Sequence, residues 1–244
     1  MKSEQENLST SGTSAVKEGY NRRKFLSALG MGTAGAAVLS SCGHNDWYDQ
    51  FRNNNNNSGA ETLDFKDDVG ILNYAYALEQ LEAAFYTEVV AKSSSVFSAS
   101  QNAFFNDIKL HEIAHREFFK KALGSNAIGN LEVDFSSINF TSKDSVLATA
   151  KAFEDLGVAA YNGAGYKIMT EAYLVIAGQI VSVEARHAAW IRDQISNGSF
   201  SDLSSLSALG ADNSKGLDAA LPPSKVLPIA ATFIKTKIDV KNVF

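Results

Sequence analysis

Two short stretches decide how this chain is read: Glu79-Gln-Leu-Glu-Ala-Ala-Phe-Tyr86 and its echo, Glu154-Asp-Leu-Gly-Val-Ala-Ala-Tyr161. Each opens on an acid and closes on a tyrosine two helical turns later. Between and after them come Glu112-Ile-Ala-His115 and Glu184-Ala-Arg-His187. The order is therefore Glu, Glu-x-x-His, Glu, Glu-x-x-His. On a helix, residues three apart project from one face, so each Glu-x-x-His presents a carboxylate oxygen and an imidazole nitrogen together. Such a pair suits iron, manganese or zinc.

The neighbours on those faces are apolar: Phe105, Ile108 and Phe119 around the first pair, Ala177, Ile180 and Ile191 around the second. The acids thus occupy stripes where a core leucine is expected. A buried carboxylate without a partner is costly, and four together would repel one another. Two divalent cations would offset that cost. The spacing therefore predicts a two-metal site inside a four-helix bundle, with Glu79, Glu112, His115, Glu154, Glu184 and His187 as ligands. In the first helix Glu79 competes with Glu82, three residues on and on the same face. Glu79 is chosen because it matches Glu154 in the repeat, whereas Glu82 aligns with Gly157, which cannot ligate. Glu82 is read as a rim or ion-pair residue.

Tyr86 is the candidate catalytic residue, able to hydrogen-bond a ligand or pass electrons, with Tyr161 as its counterpart. Gln80 and Asp155 hold equivalent places and are candidates for orienting the histidines. His111, one turn before His115, is read as a bystander.

Helical periodicity places these residues on four long helices, about 67–92, 100–123, 142–164 and 168–196. Asp67-Asp68 puts negative charge at the first helix start, where the helix dipole favours it, and Thr141-Ser142 offers a cap for the third. Gly163 and Gly165 are read as the third helix's end. Short turns join the first two helices and the last two, whereas residues 124 to 141 read as a long extended crossover between the second and third. A short helix follows Pro222-Pro223, about 224–235. All three prolines lie in this tail, which leaves a proline-free middle suited to long helices. The fold class is all-α.

The 244 residues, 45% of them hydrophobic, suffice for a proper core, and a net charge of −5 with no basic block outside the N-terminus argues against nucleic acid as a partner. The single cysteine, Cys42, excludes a disulfide framework. Residues 1–42 read as an address. Asn21-Arg22-Arg23-Lys24-Phe25-Leu26 and the uncharged stretch after it resemble a twin-arginine export signal. Leu39-Ser40-Ser41-Cys42 resembles a bacterial lipobox, which implies lipidation at Cys42 and an exported protein anchored at the cell envelope, on its periplasmic or surface face. Residues 43–64, with asparagine at 53 to 57, read as a disordered tether. The folded domain is expected over 65–244.

The segments Ile71–Tyr86, His111–His115, Val183–His187 and Leu221–Leu227 resemble the ferritin-like superfamily, and within it the desiccation-related ferritin-like domain proteins. The resemblance covers about residues 65 to 238 and implies a ferritin-like four-helix bundle. It also implies a cofactor of two divalent ions, iron foremost and manganese as the alternative, bridged by carboxylates such as Glu112 and Glu184, with Glu79 and Glu154 terminal. The function expected first is an oxidoreductase acting on oxygen, peroxide or ferrous iron. A non-catalytic stress-protection module with a stabilising or vestigial metal site is the alternative. A lipid tether fits a monomer or dimer better than a storage cage.

Overall fold

The computed structural model describes residues 60–244. The twin-arginine-like segment, Cys42 and the asparagine run lie outside the described residues. Four long helices dominate: α1 (Asp68–Lys92), α2 (Ala99–Leu123), α3 (Lys143–Gly165) and α4 (Glu171–Ile195). A short α5 (Pro223–Ala230) follows. The architecture is an all-α bundle, as the periodicity predicts.

Local chemistry starts each helix. The Asp67 carboxylate accepts from the amides of Val69 and Gly70 at 3.1 and 3.3 Å. Ser98 and Gln101 form a reciprocal capping box at α2. Ser142 caps α3 through the Ser145 amide. The α4 helix begins three residues later than the periodicity suggests. Met169 and Thr170 are held in the preceding turn, their amides donating to Asp68 at 2.8 and 2.9 Å.

The short turns make α1 pack most extensively on α2, and α3 on α4. The crossover between α2 and α3 then wraps the outer side of α1. It buries Ile128, Ile138 and Phe140, and two polar residues of α1 clip it down. Asn73 donates to the Asn126 carbonyl and accepts from the Ile128 amide, both at 2.8 Å. Gln80 accepts from the Leu131 amide at 2.9 Å and donates to the Gly129 carbonyl at 3.3 Å. These clips satisfy backbone groups that the irregular crossover would otherwise leave buried and unpaired. They also explain why α1 is buried on nearly all sides rather than on one stripe.

The ends of the domain meet in a feature absent from the sequence reading. Glu61–Asp64 form β1, paired in parallel with β2 (Ile238–Lys241). The tether therefore cannot extend to residue 64 as expected: Leu63 is fully buried, and Phe65 packs edge-on against Phe244. The tail also explains a glycine. The α3 helix closes at Gly165, as the two glycines predict, and Gly163 lies inside its last turn. It is there because the tail crosses it, and a Cβ at 163 would lie 1.8 Å from the Leu221 carbonyl oxygen. The C-terminal helix is also shorter than expected, closing at Ala230 before a single tight turn over Ala231–Phe233 and the run into β2.

Gly163→Ala should therefore lift the tail from α3 and destabilise the domain by about 1–3 kcal/mol, measured by urea unfolding. Unchanged stability would show that the crossing yields freely.

Candidate metal centre

The side chains of Glu79, Glu112, Glu154 and Glu184 are all at 0% exposure in the middle of the bundle. His187 is buried beside them and His115 nearly so. The structure thus brings together all six residues singled out in the sequence. Their donor atoms form two overlapping sets of four. Glu79, Glu112, His115 and Glu184 make one, and Glu112, Glu154, Glu184 and His187 the other, with the atoms of each set within 4.8 Å of one another. Glu112 and Glu184 belong to both sets, the position of bridging carboxylates.

The imidazoles enter through Nδ1. That atom of His115 lies 2.8 Å from Glu184, 3.4 Å from Glu79 and 3.6 Å from Glu112. Nδ1 of His187 lies 2.8 Å from Glu112, 3.4 Å from Glu184 and 3.5 Å from Glu154. None of these contacts has the alignment of a hydrogen bond. Both Nδ1 atoms, both oxygens of Glu112 and Glu184, and one oxygen each of Glu79 and Glu154 are buried without a hydrogen-bond partner. Buried polar atoms are normally satisfied. Eight atoms converging on shared space rather than pairing could hold metal ions, and their mixed carboxylate and imidazole chemistry fits iron, manganese or zinc.

The free oxygens of the two outer acids are held by tyrosines in a crossed pattern. Tyr86 of α1 donates to Glu154 of α3, and Tyr161 of α3 donates to Glu79 of α1. The exchange runs in opposite directions along the two helices, so α1 and α3 are antiparallel. This is the physical content of the Glu-x₆-Tyr repeat: each helix supplies one acid and the clamp for the other's acid. Tyr86 and Tyr161 are equivalent in contact, although the sequence favoured Tyr86 alone.

Three expectations fail and one residue was missed. Gln80 clips the crossover rather than a histidine. Asp155 forms a buried two-point ion pair with Arg192 of α4, both contacts 2.7 Å, and Arg192 also donates to Ser205. Asp155 thereby locks α3 to α4 instead of orienting a ligand. The missed residue is His111, whose Nδ1 lies 2.9 Å from Nε2 of His187 with the rings nearly parallel. With Nδ1 of His187 turned to the carboxylates, its Nε2 is left to share a hydrogen bond with His111, the kind of outer contact that fixes a ligating imidazole. The one signal in the sequence was its place a turn before His115. Its partner lies on another helix and could not be read. Glu82 is also not at a rim: it is 4% exposed, deep on the α1–α3 side of the cluster.

Protonation in the metal-free chain follows from burial and crowding. Burial, then repulsion from Glu184, raises Glu112 to about 8. Burial raises Glu154 to about 7. Burial opposes a charged His115, but Glu112, Glu184 and Glu79 outweigh it and lift the imidazole to about 12. Burial likewise opposes ionised Glu184, yet both histidines outweigh it and lower this carboxyl to about 2. The cluster thus holds its own protons as counter-charges.

The matched family is the ferritin-like domain, whose model covers residues 67–197. The chain belongs to this family. The match spans all four long helices and all six clustered residues. No curated protein matches the chain.

Metal binding must expel protons from Glu112, Glu154 and the imidazoles. Affinity should therefore rise with pH from below 7 to above 8, by about tenfold per pH unit for each proton released. Calorimetry with cobalt(II) in buffers of different ionisation enthalpy would count those protons, and pH-independent affinity would contradict the assignment. Tyr86→Phe releases one oxygen of Glu154 and should weaken metal binding by about 10- to 100-fold while the helical circular dichroism is kept.

Proposed function

We propose that the protein is a dinuclear metal oxidoreductase acting on dioxygen, peroxide or ferrous iron. The observation that carries this reading is the convergence of eight unpartnered buried donor atoms on two overlapping sets that share Glu112 and Glu184. Two divalent ions bring four positive charges to four carboxylates, iron being the first choice and manganese the second. When bound, such a pair supplies redox equivalents and polarises an oxygen-containing substrate.

The chain's own residues have separable tasks in this reading. Glu112 and Glu184, common to both donor sets, would each offer an oxygen to either ion. Glu79 and Glu154 each serve one position, oriented by Tyr161 and Tyr86. His115 and His187 give the two ends their neutral nitrogen donors, and His111 fixes the ring of His187. The apolar walls, Phe105 and Ile108 on α2 with Ile180 and Ile191 on α4, exclude water and so strengthen every charge interaction inside. Tyr86 touches a ligand oxygen, so its role here is positioning.

The cellular setting belongs to the same proposal. Residues 1–42 act as a twin-arginine-type signal, Cys42 carries a lipid, and the asparagine-rich segment tethers a monomer or dimer to the cell envelope. Export of a folded domain through such a route suits a protein that fills its centre before crossing.

The test is anaerobic loading of the full-length chain with ferrous iron, followed by oxygen or peroxide. Oxidant should be consumed as a new absorption band appears. Glu112→Ala and Glu184→Ala should each lower metal affinity by about a hundredfold or more and abolish that reaction. Metal uptake with no oxidant consumed would replace the oxidoreductase with a stabilising metal site.

A further inference from the structure

A fifth buried acid sits outside both donor sets. Glu82 is one turn from Glu79 on α1 and 4% exposed. Among the described residues it has no hydrogen bond or ion pair. Burial, then repulsion from Glu112, Glu184, Glu154 and Glu79, holds its carboxyl well above the usual carboxylate range, so the metal-free chain keeps it protonated. A buried acid without a partner is costly, so its retention needs a reason.

Two further observations supply one. The first is a cavity between α1 and α3 beneath α5. Leu78, Leu81, Phe153, Leu156 and Phe233 line it, and Glu82 is its one acidic group. Ala152 and Ile229 at its outer end are exposed, Ile229 by 44%. The cavity thus leads from the surface to the Glu82 carboxylate. The second is Gly157, in the interior of α3. A Cβ there would meet the Glu82 carboxylate at 3.0 Å from one oxygen and 3.7 Å from the other. A mid-helix glycine costs about 1 kcal/mol relative to alanine, and this one keeps space for that carboxylate. Gly157 is also the residue matched to Glu82 in the repeat. On antiparallel α1 and α3 these positions face each other, and there is room for one acid only.

We propose that Glu82 is an accessory cation site, the port through which a divalent metal ion passes from the α1–α3 cavity into the centre. The proposal rests on the metal-centre reading above and deepens it. Glu82 offers the ion its first carboxylate oxygen at the inner end of an apolar passage, giving up its proton as the ion arrives, and releases it inward, where two nitrogens and more oxygens await. Such release fits a residue held by no hydrogen bond, unlike Glu79 and Glu154, which tyrosines clamp.

The experiment is stopped-flow mixing of the metal-free full-length chain with cobalt(II), following the ligand-field absorption, together with the metal content at equilibrium. Glu82→Gln keeps the shape and removes the ionisable carboxyl that takes up the ion. It should slow filling by about tenfold, the scale on which a focused charge alters an on-rate, and leave the final content unchanged. Gly157→Ala, which crowds the same carboxylate without neutralising it, should slow filling as well. The Glu82→Gln rate decides: filling at the wild-type rate overturns the port. Loss of an ion at equilibrium overturns it too, because Glu82 would then be a permanent ligand. A wild-type chain that takes up no cobalt removes the metal-centre reading and the port together, whereas the first two outcomes leave that reading intact.

Discussion

Four ionisable acids with no solvent exposure must share the middle of one bundle, and everything else in the domain answers to that constraint. Burial favours their neutral forms and mutual repulsion adds to it. The metal-free chain meets the cost internally, with the His115 and His187 imidazoles raised by the acids around them and protons retained on Glu112 and Glu154. Cations meet it differently, by replacing protons with fixed charge. The two solutions use the same atoms, which is why the donor atoms converge on common points instead of pairing among themselves.

Holding such a cluster requires a frame that cannot relax around it. The frame is made of antiparallel exchanges. Glu79 and Glu154 are clamped by tyrosines from the opposite helix, Glu112 faces His187, and His115 faces Glu184. Each half of the repeat therefore completes the other, and neither helix pair could assemble the centre alone. Around it, Asp155 and Arg192 lock α3 to α4, Asn73 and Gln80 strap the crossover to α1, and the β1–β2 pair ties the two ends of the domain together.

What the sequence disclosed and what it hid divide along a physical line. The four helices, the long crossover and the clustered residues were legible because they rest on short-range periodicity: an acid on an apolar stripe, a histidine three residues on, a tyrosine two turns away. Such patterns are properties of one helix. The errors all concern partners distant in the chain. Gln80 and Asp155 look alike in the repeat, yet one faces a loop and the other an arginine on α4. His111 depends on His187, the role of Gly163 on Leu221, and the strand at Glu61–Asp64 on a segment at the other end of the domain. Single-sequence reasoning has no access to such pairings, and polar residues with several possible partners are where it fails first.

The departures from internal symmetry carry the most information about what the centre exchanges with its surroundings. The repeat makes the clustered residues nearly interchangeable: four glutamates, two histidines and two tyrosines obey it. Beyond them it breaks on each side in a different way. On the α2–α4 side one imidazole, His187, reaches an exposed partner in His111, and no hydrogen bond of that kind is made by His115 among the described residues. On the α1–α3 side a single carboxylate, Glu82, takes the space that its counterpart leaves as Gly157. Neither departure improves packing, since one spends a histidine on a half-open contact and the other buries an unpartnered acid. Sequence changes that cost stability at equivalent positions of a duplicated frame are intelligible when the two sides of the centre do different things. One side is built to hold a ligand ring in place against solvent, the other to keep a passage open.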